Sequence, residues 1–256
     1  DWSSDVCSSD LGAISAFRQA IQLEPTLAAA HYNLGLAYRQ QGQLQEAATA
    51  FYQAIQVEPS FVLAYANLGA ALLEGKNLPQ AREFLQRAIQ LNPRLGLAYY
   101  NLGLVEQDQG NVAEAIAAFQ QARQLSPTAP EPAYHLGLIY LQQGQTDAAK
   151  QAFEQAVKLN PNYAEAFYNI GAILLRQGKL EGALKAFQSA SQSNPNYANA
   201  FYGAGLTLMQ QGKLGEAQTA LQTAKNLYTR QGNSQWAIKA EQQLQQLARP
   251  RPTGNS

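Results

Sequence analysis

The chain has 256 residues and a balanced charge, with 18 Lys and Arg against 18 Asp and Glu. It contains no basic block, no Gly-rich phosphate loop and no metal-ligand motif, so the sequence predicts neither nucleic-acid binding nor a cofactor or metal site. The single cysteine, Cys7, cannot build a disulfide framework, and no run of about 18 apolar residues predicts a membrane span.

The first eleven residues, DWSSDVCSSDL, do not fit the pattern that follows. We expect residues 1–11 to be an artefact translated from a sequencing-library adapter, unstructured or acting as a helix cap, and the gene to have been cut inside a repeat. A natural polar arm is the alternative. Because Asp1, Asp5 and Asp10 lie in this segment, residues 12–256 hold 15 acidic residues against 18 basic ones, a net charge of +3.

One pattern recurs every 34 residues from there on. When each repeat is numbered so that its proline falls at position 32, glycine falls at position 8, alanine at positions 20 and 27, and phenylalanine or leucine at position 24. A fixed period of this size is typical of a solenoid, in which each repeat contacts only its neighbours. The prolines are Pro25, Pro59, Pro93, Pro127, Pro161 and Pro195.

These positions resemble those of the tetratricopeptide repeat (TPR) family, and the resemblance covers residues 12–231. The repeat sequences are similar to those of bacterial TPR arrays and of the TPR array of O-linked N-acetylglucosamine transferases. The resemblance implies an all-α fold, a right-handed α-solenoid of antiparallel helix pairs that forms a TPR superhelix.

The pattern divides the chain into predicted elements in order. A half repeat, second helix only, covers 12–27, and a capping helix at 232–247 precedes a disordered tail at 248–256. Glycine at position 8 lies mid-helix, where it costs about 1 kcal/mol, so we expect it to let two helices cross closely. Pro130 and Pro132 should delay their first helix by a residue or two. The six full repeats are 28–61, 62–95, 96–129, 130–163, 164–197 and 198–231.

A candidate binding surface follows from the resemblance, which implies that first helices line a concave groove. Position 6 holds asparagine in four repeats, and a row of amides can hold the backbone of an extended peptide, as the asparagine ladder of the transferase array does. Position 5 holds tyrosine in five repeats, which adds apolar area and a hydroxyl. The predicted peptide-binding residues are Tyr32, Asn33, Asn67, Tyr100, Asn101, Tyr134, His135, Tyr168, Asn169 and Tyr202.

Each residue type also has a purely structural interpretation. Asparagine suits a half-exposed helix position, and tyrosine can pack against the neighbouring repeat. The ladder is altered at His135 and broken at Gly203, which weakens the prediction at the C-terminal end. Arg39 and Arg176 are the only basic residues on the first helices, so we expect no carboxylate clamp of the kind that chaperone-binding relatives use.

The sequence therefore predicts a bacterial, cytoplasmic, non-catalytic scaffold for protein–protein interaction. Its partner would be a protein or extended peptide, with no nucleic acid, no membrane, no cofactor and no catalytic residue. One alternative is a regulatory or substrate-presenting portion of a larger enzyme, for example a glycosyltransferase, whose other part is missing. A third hypothesis is self-association through the cut N-terminal end.

Overall fold

A computed structural model describes residues 2–248 of the chain, with side chains from residue 12 onward, and its elements are all α-helices. They form two compact units, which we call unit 1 (up to Thr128) and unit 2 (from Ala129). The helices of unit 1 are α1 (Trp2–Leu23), α2 (Ala28–Gln40), α3 (Leu44–Val57), α4 (Val62–Glu74), α5 (Leu78–Leu91), α6 (Gly96–Asp108) and α7 (Val112–Leu125). Those of unit 2 are α8 (Glu131–Gln142), α9 (Thr146–Leu159), α10 (Ala164–Arg176), α11 (Leu180–Ser193), α12 (Ala198–Gln210), α13 (Leu214–Arg230) and α14 (Ser234–Ala248).

Each helix packs against the next one along the chain within its unit, and the most extensive contacts join the two helices of one repeat. The predicted all-α solenoid of helix pairs is thus confirmed. None of the helices between residues 2 and 248 combines the length and apolar composition needed to span a bilayer.

Proline sets the length of the second helices. Helix α3 ends at Val57, two residues before Pro59, because the proline ring blocks helical bonding and restricts the residue before it. Thr229 replaces this proline in the last repeat, and α13 is 17 residues long where α11 has 14. Helix α8 begins at Glu131, one residue after the start of its repeat, so the delay expected from the prolines is confirmed.

Helix α1 differs from the expectation for the N-terminal segment. It begins at Trp2, so residues 2–11 are helical rather than unstructured or a cap. No proline or glycine lies between Trp2 and Leu11, and once a helix has nucleated each added residue gains a further hydrogen bond. The adapter origin of the segment stays a prediction. Ala248 ends α14, and the rest of the predicted tail, 249–256, lies outside the described residues.

Glycine at position 8 faces the large side chain at position 24 across every helix pair. A Cβ added to Gly103 would lie 2.6 Å from Cε1 of Phe119, closer than carbon atoms can approach. The expected close crossing is therefore confirmed, and the ring at position 24 rests on the bare backbone. The alanines at positions 20 and 27 are fully buried in all six repeats.

One ring lies against two glycines. A Cβ on Gly171 of α10 would come within 2.8 Å of Cδ1 of Phe187, and a Cβ on Gly203 of α12 within 2.6 Å of Cε1 of the same ring. Gly203 occupies position 6, where four repeats carry asparagine. Its missing side chain lets α12 approach the ring of the preceding repeat.

The turn inside each repeat needs a left-handed residue at position 15. In five repeats this residue is glycine, with φ between 71° and 80°. In the second repeat the glycine comes one residue early, as Gly75, and Lys76 takes the left-handed conformation with φ 61°. A side chain in this region is strained by about 1–2 kcal/mol. The five glycines are Gly42, Gly110, Gly144, Gly178 and Gly212.

Candidate functional site

The predicted site residues lie on the first helices of the repeats. In unit 1, α2 contacts α4 and α4 contacts α6, and in unit 2, α10 contacts α12. We call the residues at positions 2, 5, 6 and 9 of these helices and of α8, together with position 34 just before the next first helix, the first-helix surface. Each unit has its own part of this surface.

The tyrosines at position 5 pack their rings on the ring at position 24 of the same repeat. The centroid distances are 5.7 Å for Tyr32 and Phe51, and 5.8 Å for Tyr168 and Phe187. Tyr202 instead contacts Trp236 of the capping helix, at 5.6 Å. Apart from Tyr202, these rings pack within their own repeat, whereas the structural interpretation expected packing against the neighbouring repeat. The other two pairs are Tyr100 with Phe119 at 6.0 Å and Tyr134 with Phe153 at 5.7 Å.

A second aromatic residue, at position 34, packs beside several of these tyrosines. Phe61 lies 4.9 Å from Tyr32 in unit 1. In unit 2, Tyr163 stacks on Tyr134 at 4.8 Å, and the edge of one ring meets the face of the other for Tyr168 and Tyr197 at 5.5 Å. Position 34 therefore completes the surface around position 5.

Both the NH₂ group and the carbonyl oxygen of the Asn67 side chain form hydrogen bonds within the protein. Its Nδ2 donates to Oη of Tyr32 at 3.1 Å and to the carbonyl oxygen of Leu63 at 3.0 Å. Its Oδ1 accepts from Nη1 of Arg39 at 3.3 Å, and Arg39 also donates through Nε to Glu74 at 3.0 Å. The side chain of Asn67 is only 7 % exposed. This asparagine ties α2 to α4 and is buried, whereas the structural interpretation expected only a half-exposed helix position.

Asn169 repeats this arrangement in unit 2. Its Nδ2 donates to the carbonyl oxygen of Glu165 at 2.8 Å, and it hydrogen-bonds the Tyr134 hydroxyl. Burial raises the pKa of that hydroxyl and the Glu165 carboxylate adds to the rise, while the bond with Asn169 opposes it. In both units, then, asparagine at position 6 is bonded to the tyrosine 35 residues earlier.

Asn33 and Asn101 differ from this pair. The residue 35 positions before Asn101 is Ala66, which has no hydroxyl to offer. Asn101 is 6 % exposed, and Asn33 is half-buried. Neither amide makes a side-chain hydrogen bond with a described residue.

His135 occupies position 6 on α8. Its ring lies edge-on to that of Tyr134, at 5.5 Å. Burial lowers the pKa of the imidazole to about 4, so the side chain is neutral at pH 7. A neutral histidine resembles asparagine in carrying one donor and one acceptor.

Positions 2 and 34 carry residues that the sequence prediction omitted. In unit 1 position 2 is apolar, and Leu63 and Leu97 are 42 % and 44 % exposed. In unit 2 the same position holds Glu131 and Glu165. Because position 2 lies three and four residues before positions 5 and 6, it shares their helix face. The repeat register already predicts that position 2 faces the groove, although no residue at this position is among the ten predicted peptide-binding residues.

Surface cavities lie on the other side of the helix pairs. A cavity of about 650 Å³ opens between α1 and α3, with Leu34 and Tyr38 of α2 at its floor, and one of about 480 Å³ opens between α3 and α5. None of the ten predicted peptide-binding residues lines either one. In the part of the chain that is described, no group of His, Cys, Asp or Glu is arranged to hold a metal ion.

Six family models of the tetratricopeptide repeat match the sequence, over residues 12–42, 28–61, 62–95, 94–162, 134–198 and 174–241. Together they follow the repeats from the half repeat into the capping helix. No curated protein matches the chain.

Solved structures with the same fold include YrrB, described as a TPR protein with an unusual peptide-binding site. YrrB is 28 % identical, and the match covers 76 % of this chain and 99 % of YrrB with a TM-score of 0.60. MamA is 27 % identical over 64 % of this chain and 96 % of its own, with a TM-score of 0.56. PilF of Pseudomonas aeruginosa, at 22 % identity, 84 % and 97 % coverage and a TM-score of 0.74, resembles this chain in fold alone.

Proposed function

The chain belongs to the tetratricopeptide repeat family, and on that premise we propose that it is a non-catalytic interaction scaffold that binds an extended peptide segment on its first-helix surface. Arrays built only from such repeats are typically interaction domains. The other roles expected from the sequence, as a portion of an enzyme or in self-association, stay predictions.

The observation that carries the proposal is the pairing of Asn101 with Leu97 on α6. Asn101 makes no side-chain hydrogen bond with a described residue, and Leu97, four residues earlier on the same face, is 44 % exposed. An extended peptide offers backbone groups to an amide and side chains to an apolar neighbour. The peptide-binding site described for YrrB is consistent with this use of the fold.

Peptide selection followed by titration tests the proposal. Decapeptides selected by display against the whole chain would be titrated calorimetrically into the wild type and into Asn101→Ala. Loss of one hydrogen bond should weaken binding by about 2- to 12-fold. Leu97→Ala should weaken binding as well, through lost apolar contact.

Gln56→Ala is the matched control, because Gln56 is an exposed amide on the second helix α3. It should leave the affinity unchanged. If Gln56→Ala weakens binding while Asn101→Ala and Leu97→Ala do not, the ligand occupies the second-helix side and the proposal is wrong.

A further inference from the structure

The first-helix surface of unit 2 contains a cluster of tyrosines. Tyr134 stacks on Tyr163 with 29° between the ring planes, and Tyr168 meets Tyr197 at 77°. All four side chains are half-buried rather than enclosed. Their rings therefore line a surface that a ligand can still reach.

Glu165 lies three residues before Tyr168 and four before Asn169, on one face of α10. Burial raises the pKa of Tyr197 to about 12, with Tyr168, Tyr134 and Glu165 adding to the rise against a hydrogen bond from Asn199. Glu165 also raises the pKa of Tyr134. These directions agree with the helix spacing, since the charge of Glu165 acts on tyrosines of two successive repeats.

The carboxylate of Glu165 has no cationic partner of its own. It is half-buried and forms no ion pair with any described residue. Glu131 stands one repeat earlier at the same position and is exposed. Arg176 is the only Lys or Arg on α8, α10 and α12, and it lies 11 residues beyond Glu165, about 16 Å along the helix. Its charge reaches Tyr168 of the same helix, where it partly offsets the rise in pKa that burial causes, but it forms no ion pair with Glu165.

Such a surface suits a cation better than any other side chain. A positive charge within about 6 Å of a tyrosine ring is attracted by the face of the ring, and the attraction grows when water is excluded. An acidic side chain would be repelled by Glu165 and Glu131. An apolar side chain would cover the carboxylate without replacing its lost water.

Unit 1 has neither the tyrosine nor the carboxylate at the corresponding repeat positions. Where unit 2 has Tyr163 and Glu165, unit 1 has Phe61 and Leu63. The corresponding surface carries no charge at position 2, so it provides an internal control for charge recognition.

We propose that unit 2 binds a cationic side chain, lysine or arginine, of a partner protein segment between the rings of Tyr134, Tyr168 and Tyr197 and the carboxylate of Glu165. The inference rests on the proposed function, since it names the chemistry of the segment that the first-helix surface takes. The cation supplies the counter-charge that Glu165 lacks within the described chain.

Two synthetic decapeptides of glycine and serine test the proposal, one with two arginines and one with two citrullines, which keep the shape of arginine without its charge. Titration into the ¹⁵N-labelled whole chain should shift amide signals of α8, α10 and α12. The arginine peptide should bind about 3- to 30-fold tighter than the citrulline peptide.

Three variants test which residues cause the preference for the arginine peptide. Glu165→Gln and Tyr197→Leu should bring the affinity ratio of the two peptides close to one, with thermal melts recorded to verify folding. Leu63→Gln, at the matching position of unit 1, should leave the ratio unchanged. A ratio that survives Glu165→Gln would overturn the proposal.

The failure of this inference differs from failure of the proposed function. If both peptides shift first-helix signals with equal affinity, peptide binding stands and cation recognition is wrong. If selected peptides and both synthetic peptides shift no first-helix signals at all, both proposals fail.

Discussion

Unit 1 and unit 2 have the same core and different surfaces. In each unit, glycine at position 8 receives the side chain at position 24, and alanines at positions 20 and 27 are fully buried. At the first-helix surface, however, Leu63 and Leu97 of unit 1 correspond to Glu165 and Asn199 of unit 2. Repeat packing fixes the buried positions, because each one contacts the same neighbours in every repeat. The exposed positions are free of that constraint and can set the recognition chemistry.

The largest effect should come from a change that breaks the shared core. Gly103→Leu places a branched side chain where Phe119 already lies, and we expect it to cost about 3 kcal/mol of unfolding free energy. Gly137→Leu, whose Cβ would meet Phe153 at 2.6 Å, should cost a similar amount in unit 2. Urea unfolding measures both costs.

Hydrogen exchange locates the damage. Gly103→Leu should loosen α6, α7 and their neighbours, because repeats are coupled only to adjacent repeats. Uniform loosening of the whole chain, or none, would contradict the packing described for position 8.

The stability of the protein should depend on pH through His135, which occupies position 6 in unit 2 where unit 1 has asparagine. The folded pKa of His135 is about 4 against an ordinary 6.5, so between these values the unfolded chain binds a proton that the folded chain does not. Stability is fully present above pH 6.5 and falls as the pH decreases toward 4. We expect a loss of roughly 1–2 kcal/mol between pH 7.5 and pH 5, measured by urea unfolding at each pH.

His135→Asn is the matched variant, since asparagine is the residue of unit 1 at this position. It should remove this part of the pH dependence while leaving the contribution of the carboxylates. An unchanged pH profile would show that another group is responsible.

Two of the three asparagines at position 6 of unit 1, Asn67 and Asn101, should behave differently. Asn67→Ala removes three hydrogen bonds, with Tyr32, Arg39 and the Leu63 carbonyl, and we expect a cost of about 1–2 kcal/mol. Asn101→Ala removes no such bond, but it truncates a buried side chain, so it should cost less, about 0.5–1 kcal/mol. Equal costs in chemical denaturation would mean that the amide of Asn67 is not structurally committed.

The smallest effect concerns the turns, which are glycine throughout unit 2 and lysine once in unit 1. Lys76→Gly should stabilise the protein by about 1 kcal/mol, because glycine adopts φ 61° without strain. Its ion pair with Asp108 is exposed and contributes little. Gly144→Lys, the reverse change in unit 2, should lower the melting temperature. If both variants have the melting temperature of the wild type, the turn at Lys76 carries no strain.

Most of the fold could be predicted because the same physical signal recurs. Proline at position 32 predicts where each second helix ends, and glycine at position 8 predicts the close crossing of each pair. The exceptions follow local changes: α13 is longer where Thr229 replaces proline, and α8 starts late beside Pro130. The helical start of α1 at Trp2 was missed, because no repeat register extends there to predict it.

The site was harder to predict, since position alone does not tell whether a polar side chain is already bonded. Asn67 and Asn101 look alike in the repeat pattern, yet only Asn67 has a tyrosine 35 residues earlier. That spacing was present in the sequence and could have separated them. The role proposed for Glu165 depends on the tyrosines of two successive repeats, and a 34-residue period does not specify how their side chains are arranged.

The position of Phe187 between Gly171 and Gly203 has a consequence for internal motion. Backbone lies against its ring in both α10 and α12, so the ring has no room to rotate by 180° about its Cβ–Cγ bond while the helices stay in place. Rotation must wait for a transient separation of the two helices, a collective motion of the microsecond-to-millisecond range. The exchange rate of the ring protons of Phe187 therefore measures how often these two neighbouring repeats part.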